Sequence, residues 1–159
     1  MPSRVSAKVE FHVESADLRK LYLDLKGFEG NLQVELRRGL REAGEGMAAA
    51  VRNEASWSSR IPGATKVVPS FAARGAGVSI QVDARKAPEA RPLEHGGRAG
   101  AFRHPVYASS TEDRSRWAWA SEPARPFFYA AIGGRTPAVE QRMRQVMTDV
   151  AAKAGFTGT

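Results

Sequence analysis

Residues 31–56 read NLQVELRRGLREAGEGMAAAVRNEAS, and this stretch decides the fold. Its apolar residues recur at spacings of three and four, which is typical of an amphipathic helix facing a core. Asn31 is suited to cap the first turn, so we predict a helix from Leu32 to about Ser56. Gly39, Gly44 and Gly46 weaken this helix by up to ~1 kcal/mol each. Such small residues permit close packing of another backbone, either within the chain or from a neighbouring subunit.

Strands are predicted on both sides of this helix. Residues 4–14 alternate strictly between apolar and polar side chains, which indicates a half-buried strand. Residues 65–73 and 78–82 also have strand character, and the connection Arg74-Gly75-Ala76-Gly77 between them is typical of a β-hairpin. Pro69 favours an edge position for the first of these strands, because proline cannot donate a backbone hydrogen bond.

The C-terminal half predicts two short strands and two helices. Residues 102–107 and 116–120 have strand character, and a short helix is expected from about 127 to 132. Residues 136–154 carry their apolar side chains on one helical stripe, which predicts a closing helix. The order of elements indicates an α+β fold, with an antiparallel sheet and hairpin packed by the long central helix and the C-terminal helix.

The length and the irregular segments predict one domain over residues 1–159, since 159 residues fit a single core. Residues 84–101 are rich in charge, proline and glycine, so we expect a loop or a flexible arm there. Residues 155–159 are expected to form a loose C-terminal tail.

The composition excludes several classes of function. The chain has no cysteine, which excludes disulfides, cysteine–zinc sites and thiol nucleophiles. No apolar run approaches the roughly 20 residues of a membrane helix, and the N-terminus lacks the apolar stretch of a signal peptide. The net charge of +7 rests on 24 basic residues, 18 of them arginine, which favours an acidic protein surface or nucleic acid as partner. A GC-rich genome, with its arginine codons, is the alternative explanation of this charge.

Residues 90–132 hold the candidate site residues, including two of the three histidines and two of the three tryptophans. Glu94, His95 and His104 supply too few and too irregularly spaced ligands for the three or four that zinc needs. No serine lies in a Gly-x-Ser-x-Gly pattern, and no glycine-rich segment matches a phosphate-binding loop. We therefore expect no catalytic residue, no metal and no cofactor.

Trp117 and Trp119 lie among Arg114, Arg116 and Arg125, and this arrangement has two interpretations. The bases of a single-stranded nucleic acid can stack on the rings while the arginines contact phosphates. Alternatively, the rings are buried in the core or at a subunit interface, where tryptophan and arginine are the usual anchors. The sequence leaves both open, and we favour burial or an interface.

Several segments carry motifs of a known kind. The long helix over 32–56 precedes the hairpin over 65–83, and residues 90–96, ARPLEHG, place a glutamate four residues after an alanine and two before a glycine. Residues 124–132, ARPFFYAAI, form an aromatic stretch built on Pro-Phe, and residues 103–107 read RHPVY. In these features the chain resembles the tail-completion and head–tail joining proteins of long-tailed bacteriophages. The RHPVY run also resembles versions from phages of actinobacteria.

The resemblance implies a structural virion protein of the phage neck, with no enzymatic activity. Such proteins form rings, usually of six subunits, which terminate the tail tube and join it to the head connector. The implied partners are sister copies, the tail tube protein and a head-side connector protein, while DNA passes through the lumen without specific binding. The implied location is the tail or neck of the virion, after assembly in the host cytoplasm, without membrane association.

The residues expected at subunit and partner contacts are glycine, arginine, aromatic and acidic positions of the central segment. They are Arg91, Glu94, Gly96, Gly97, Arg98, Arg103, Trp117, Trp119, Arg125 and Phe127. Ring closure needs two different patches that meet, so we expect the glycine-rich segment 94–100 to act as an arm that orders on a neighbour. A nucleic-acid-binding module that uses the Trp/Arg surface is the alternative function.

Overall fold

The central helix organises the structure, a computed structural model that describes residues 8–28, 30–96, 100–106 and 118–156. Eleven helices and strands follow one another along the described residues. They are β1 (Val9–Glu14), α1 (Leu18–Asp24), α2 (Leu32–Glu54), α3 (Ile61–Ala64), β2 (Thr65–Ser70), β3 (Gly77–Val82), α4 (Ala90–His95), β4 (Ala101–Val106), β5 (Ala118–Pro123), α5 (Phe128–Ile132) and α6 (Thr136–Lys153). A 3₁₀ turn over Leu25–Gly27 follows α1. The predicted α+β class is confirmed, with its antiparallel hairpin, long central helix and C-terminal helix.

The main sheet has three antiparallel strands in the order β1-β3-β2. β3 is central, and its residues Val78, Ile80 and Val82 are fully buried. Ile80 pairs with Phe11 on one side and with Val67 on the other, so the three strands present one apolar face. The opposite face carries polar pairs, such as Gln81 beside Glu10, since side chains alternate along a strand.

Helix α2 packs closely on the apolar face of this sheet. Gly44 permits the approach, because a Cβ atom there would lie 2.7 Å from a methyl carbon of Val67 and 2.8 Å from one of Val78. Gly39 faces Val146 of α6 in the same manner, whereas a Cβ atom at Gly46 would meet nothing within 4 Å. Two of the three helix glycines therefore accommodate partners within the chain.

Helix α6 runs antiparallel to α2 and covers another side of it. At one end Lys153 Nζ donates to Glu35 Oε2 at 2.7 Å. At the other end a cavity near the C-terminus of α2 is lined by Asn53, Glu54 and Arg135. The apolar stripe of α6, including Val139, Met143 and Val150, is buried as its periodicity predicts.

Several boundaries differ from the predicted ones. β1 begins at Val9, and residues 4–7 of the predicted strand lie outside the described residues. Helix α2 ends at Glu54 rather than Ser56, and residues 61–64 form a short helix between α2 and β2. Pro62 is compatible with that helix because backbone N–H groups in the first turn have no acceptor within the helix, so a proline there removes no hydrogen bond.

Residues 84–101 are not simply a loop or an arm, and this prediction was wrong for the segment that forms α4. Ala90 and Leu93 are buried in the core, which outweighs the weak local signal of a six-residue helix. Of the predicted loose tail, residues 157–159 lie outside the described residues, and Ala154 ends α6 as its C-cap.

Strands β4 and β5 form a second, separate two-stranded antiparallel sheet. Five of the six residues of β5 are exposed, whereas Phe102 of β4 packs against the core. None of the helices in the described part of the chain combines the length and apolar character needed to cross a membrane.

Candidate functional site

The base of the exposed hairpin is fixed by one buried carboxylate. Glu94 lies on α4 and is 7% exposed. Its Oε2 atom accepts hydrogen bonds from the backbone N–H groups of Phe127 at 2.7 Å and Phe128 at 2.9 Å, and its Oε1 atom accepts one from Tyr129 at 3.1 Å. The first N–H groups of a helix have no partner within the helix, so Glu94 satisfies the start of α5 and complements its dipole.

Both strands of the hairpin leave from this anchored region. The backbone N–H of Arg125 donates to the carbonyl of Leu93 at 2.8 Å, and that of Ala124 donates to the carbonyl of Gly100 at 2.7 Å. Gly100 directly precedes β4, and Ala124 directly follows β5. The backbone therefore holds the two ends of the hairpin together and joins them to α4.

Gly96 lies at this base with a positive φ of 64°, a conformation that favours glycine. A Cβ atom at this position would come within 3.0 Å of the Ala124 Cβ and 3.1 Å of the Gly100 carbonyl carbon. Gly96 thus permits a tight turn and a close approach of two segments. Gly96 is packed against the rest of the hairpin base, and its contact with a neighbouring copy stays a prediction.

An aromatic cluster supports the same region. Phe127 is fully buried and meets Trp57 edge to face, with 6.2 Å between ring centroids. The guanidinium carbon of Arg125 lies 4.1 Å from the centroid of Trp57, a cation–π contact. The sequence motifs gave no indication of Trp57, whose partners lie some 70 residues further along the chain.

The exposed face of the hairpin carries an aromatic–basic pair. Arg103 is directly opposite Ser121 in the antiparallel register, and Trp119 lies two residues from Ser121, so the three share one face. The guanidinium carbon of Arg103 lies 5.5 Å from the centroid of Trp119. Trp119 is 51% exposed, which is high for the most interface-prone side chain.

The structure divides the ten predicted contact residues into three groups. Arg91, Arg103, Trp119 and Arg125 have exposed side chains, and Arg103 and Trp119 are in mutual contact. Gly97, Arg98 and Trp117 lie outside the described residues. Glu94, Gly96 and Phe127 belong to the hairpin base, where their contacts within the chain account for them.

The predicted role in subunit or partner contacts fits Glu94 and Phe127 least well. An interface role requires accessible surface, and the Phe127 side chain has none, while the buried Glu94 carboxylate accepts hydrogen bonds from three N–H donors within the chain. Both residues hold the base of the hairpin in place.

The described residues offer little for metal or acid–base chemistry. Within the described ranges, no group of three or more His, Cys, Asp or Glu side chains is placed to hold a metal ion. His104 Nε2 lies 3.2 Å from Glu122 Oε1 on the hairpin, and His95 lies beside the ring of Tyr129 at 6.0 Å between centroids. These are single pairs at the surface.

Comparison of the chain with protein-family models, with curated protein sequences and with solved structures found no match.

Proposed function

We propose that the chain is a structural virion protein of a phage neck, whose copies form a ring that terminates the tail tube and joins it to the head connector. The observation that carries this proposal is the exposed β4–β5 hairpin with its Arg103/Trp119 pair. A two-stranded hairpin is at best marginally stable in water by itself. This one is fixed at its base and uncovered along β5, as expected for an element that a partner covers.

The two motifs that carry the resemblance to tail-completion proteins also support the proposal. The glutamate of ARPLEHG is Glu94, and the Pro-Phe stretch supplies its three N–H donors. Two segments more than 30 residues apart thus form one structural unit, the base of the hairpin. Together, the two motifs hold in place the β4–β5 hairpin, which we assign to assembly.

The charge of the chain is compatible with this function. Arginine pairs with carboxylates through two parallel hydrogen bonds, which suits the rim of a protein interface. The net charge of +7 favours acidic neighbours in the neck. A ring lumen through which DNA passes does not require a specific DNA site.

Electron microscopy of the purified full chain tests the proposal. We expect rings with a central hole, of about six subunits, together with a matching mass in solution. Trp119→Ala should reduce ring formation, because it removes the largest exposed side chain among the described residues of the hairpin. Ala118→Ser, on the opposite face of β5, is the matched control and should form rings. A wild-type chain that stays monomeric at every concentration, and with tail tube protein present, would refute the proposal.

A nucleic-acid-binding module is the second candidate, favoured by the same exposed Arg103/Trp119 pair. A base can stack on a half-exposed indole beside a guanidinium, which is a common arrangement in single-strand binders. Titration of a single-stranded oligonucleotide at several salt concentrations separates the two functions. Affinity that falls steeply and linearly with the logarithm of salt, and that is lost in Trp119→Ala, would favour this candidate over the ring.

A further inference from the structure

A groove between α1 and α6 is the second uncovered surface of the described chain. Two adjoining cavities of about 490 and 470 Å³ lie along α6 and share Asp17, Met147 and Thr148 as lining residues. Volumes of roughly 300–1,000 Å³ are typical of cavities that bury a ligand-sized group. The groove therefore has room for a large side chain.

Apolar and adaptable side chains lie among the polar residues that line the groove. Met143 and Met147 line it from α6, Leu21 lines it from α1, and Phe156 closes one end. Phe156 is 39% exposed and meets Phe28 edge to face at 5.2 Å between centroids. Methionine side chains adjust to the shape of a partner, which suits a surface that receives an aromatic ring.

The rim of the groove is acidic although the chain as a whole is basic. Its charged residues are Glu14, Asp17, Asp24, Glu140, Lys20 and Arg144. Lys20 and Asp24 pair with each other at 2.6 Å, which leaves three carboxylates facing one guanidinium. A basic and aromatic partner complements such a rim.

The Phe156 end of the groove and the base of the hairpin lie toward opposite ends of α2. The hairpin base contacts Trp57, three residues beyond the end of α2, whereas Phe28, which meets Phe156, and the Lys153–Glu35 pair mark the start of α2. A helix of 23 residues is about 35 Å long at 1.5 Å per residue. This end of the groove is therefore distant from the hairpin base of the same molecule.

We infer that the Arg103/Trp119 face of one copy docks in the α1–α6 groove of the next copy, an inference that rests on the proposed ring function. The indole of Trp119 packs on the half-buried Met147, and the guanidinium of Arg103 meets the carboxylates of Glu14 and Glu140. The two patches differ, so the contact is head-to-tail and closes into a ring if the rotation between copies permits.

Site-directed crosslinking tests this contact, since a chain without cysteine gives no background reaction. Ser121→Cys lies on the docking face of the hairpin and leaves Trp119 and Arg103 intact, and Thr148→Cys lies in the groove. The two single variants, carrying tags of different mass, are mixed and treated with a short thiol-specific crosslinker. We expect a covalent heterodimer of the two.

Two matched controls use the opposite faces of the same elements. Ala118→Cys is on the other face of the hairpin, and Gln145→Cys is on the side of α6 that lines a different cavity. Both positions are exposed, so their thiols react equally well with the reagent. Heterodimer yields with either control that equal the yield of the Ser121/Thr148 pair would overturn the inference, as would absence of that heterodimer from wild-type-like rings.

Charge reversal gives a second, independent test. Arg103→Glu and Glu140→Arg should each weaken self-association by roughly 10- to 100-fold, since each places like charges together. The double variant should recover most of the wild-type association, measured by sedimentation velocity. Rings that are insensitive to both single changes would overturn the docking contact but leave the ring function standing. A wild-type chain that never self-associates would overturn both.

Discussion

At the scale of single residues, Glu94 shows how one polar side chain determines the placement of a larger element. It is surrounded by apolar core residues, yet all of its described hydrogen bonds go to backbone N–H groups at the start of α5. A carboxylate can accept several hydrogen bonds at once, whereas an amide presents one acceptor oxygen and two donors. The chemistry at this position therefore calls for an acid and excludes its isosteric amide.

Replacement of Glu94 by glutamine is predicted to destabilise the fold by about 1–3 kcal/mol, because at least one buried N–H group then faces another donor. Urea unfolding of the variant and the wild type measures this difference. Glu122→Gln is the matched control, since Glu122 is exposed on β5 and should change stability little. Equal effects of the two substitutions would contradict the role assigned to Glu94.

At the scale of elements, substitutions at two glycines of α2 allow the effect of packing on stability to be separated from the effect of helix propensity. Gly44 is buried where the helix meets the methyl groups of Val67 and Val78, while Gly46 is exposed with open space around it. The two glycines lie two residues apart on the same helix, so both carry the same cost from the low helix propensity of glycine. Only their surroundings differ, so any difference between substitutions at these positions reports on the contact between helix and sheet.

Gly46→Ala is predicted to stabilise the protein by about 0.5–1 kcal/mol, because alanine restricts the unfolded chain and meets no neighbour. Gly44→Ala is predicted to destabilise it, since overpacking in a core costs about 1–3 kcal/mol. Chemical unfolding of both variants under the same conditions tests the opposite signs. A stabilised Gly44→Ala variant would mean that the sheet yields easily at this point.

At the scale of the whole molecule, carboxylates with lowered pKa values connect distant parts of the chain. Hydrogen bonding from Lys153 lowers the pKa of Glu35, joining α2 to α6. The backbone N–H of Arg85 and the ammonium of Lys66 lower the pKa of Asp83 at the end of the sheet. For Glu10, burial acts to raise the pKa, but the charge and hydrogen bond of Lys8 and the hydrogen bonds of Ser79 and Gln81 together outweigh it, so the pKa is lowered.

These shifts predict acid sensitivity. A carboxyl group whose pKa is lower in the folded state stabilises the fold above its unfolded pKa and loses this contribution as pH falls. The unfolded values are 4.5 for glutamate and 3.8 for aspartate. Stability should therefore decrease as pH falls through that region, and the high positive charge adds repulsion. Thermal unfolding between pH 7 and pH 3 should show a shallower decline for Glu35→Gln than for wild type.

The sequence predicted the long elements of the fold well and the site only in part. Helices α2 and α6 extend over several turns, so the helical spacing of their apolar residues is repeated often enough to be recognised in the sequence. Helix α4 is six residues long, contains a proline and depends on tertiary contacts, so no periodicity indicates it. Arg103 and Trp119 were each expected at a contact surface from residue type, but their mutual contact was not predicted, and their contact with a partner stays a prediction.

The role of Glu94 could not be predicted from local pattern. Its partners are 33 to 35 residues further along the chain, and they are backbone groups, which leave no trace in side-chain composition. The same holds for Trp57, whose contact with Phe127 and Arg125 arises only when the chain folds. The two motifs of the resemblance marked both ends of the Glu94 contact without indicating that they meet.

The fixed base of the hairpin has a consequence for the speed and strength of any association. A hairpin that could rotate about its attachment would lose this freedom on docking, and the lost conformational entropy would lower the binding affinity. In this chain, hydrogen bonds at Leu93, Gly100 and Glu94 fix the base of the hairpin, so the orientation of the hairpin is set before a partner binds. Loosening the base should thus slow and weaken docking even when every residue of the contact face is intact.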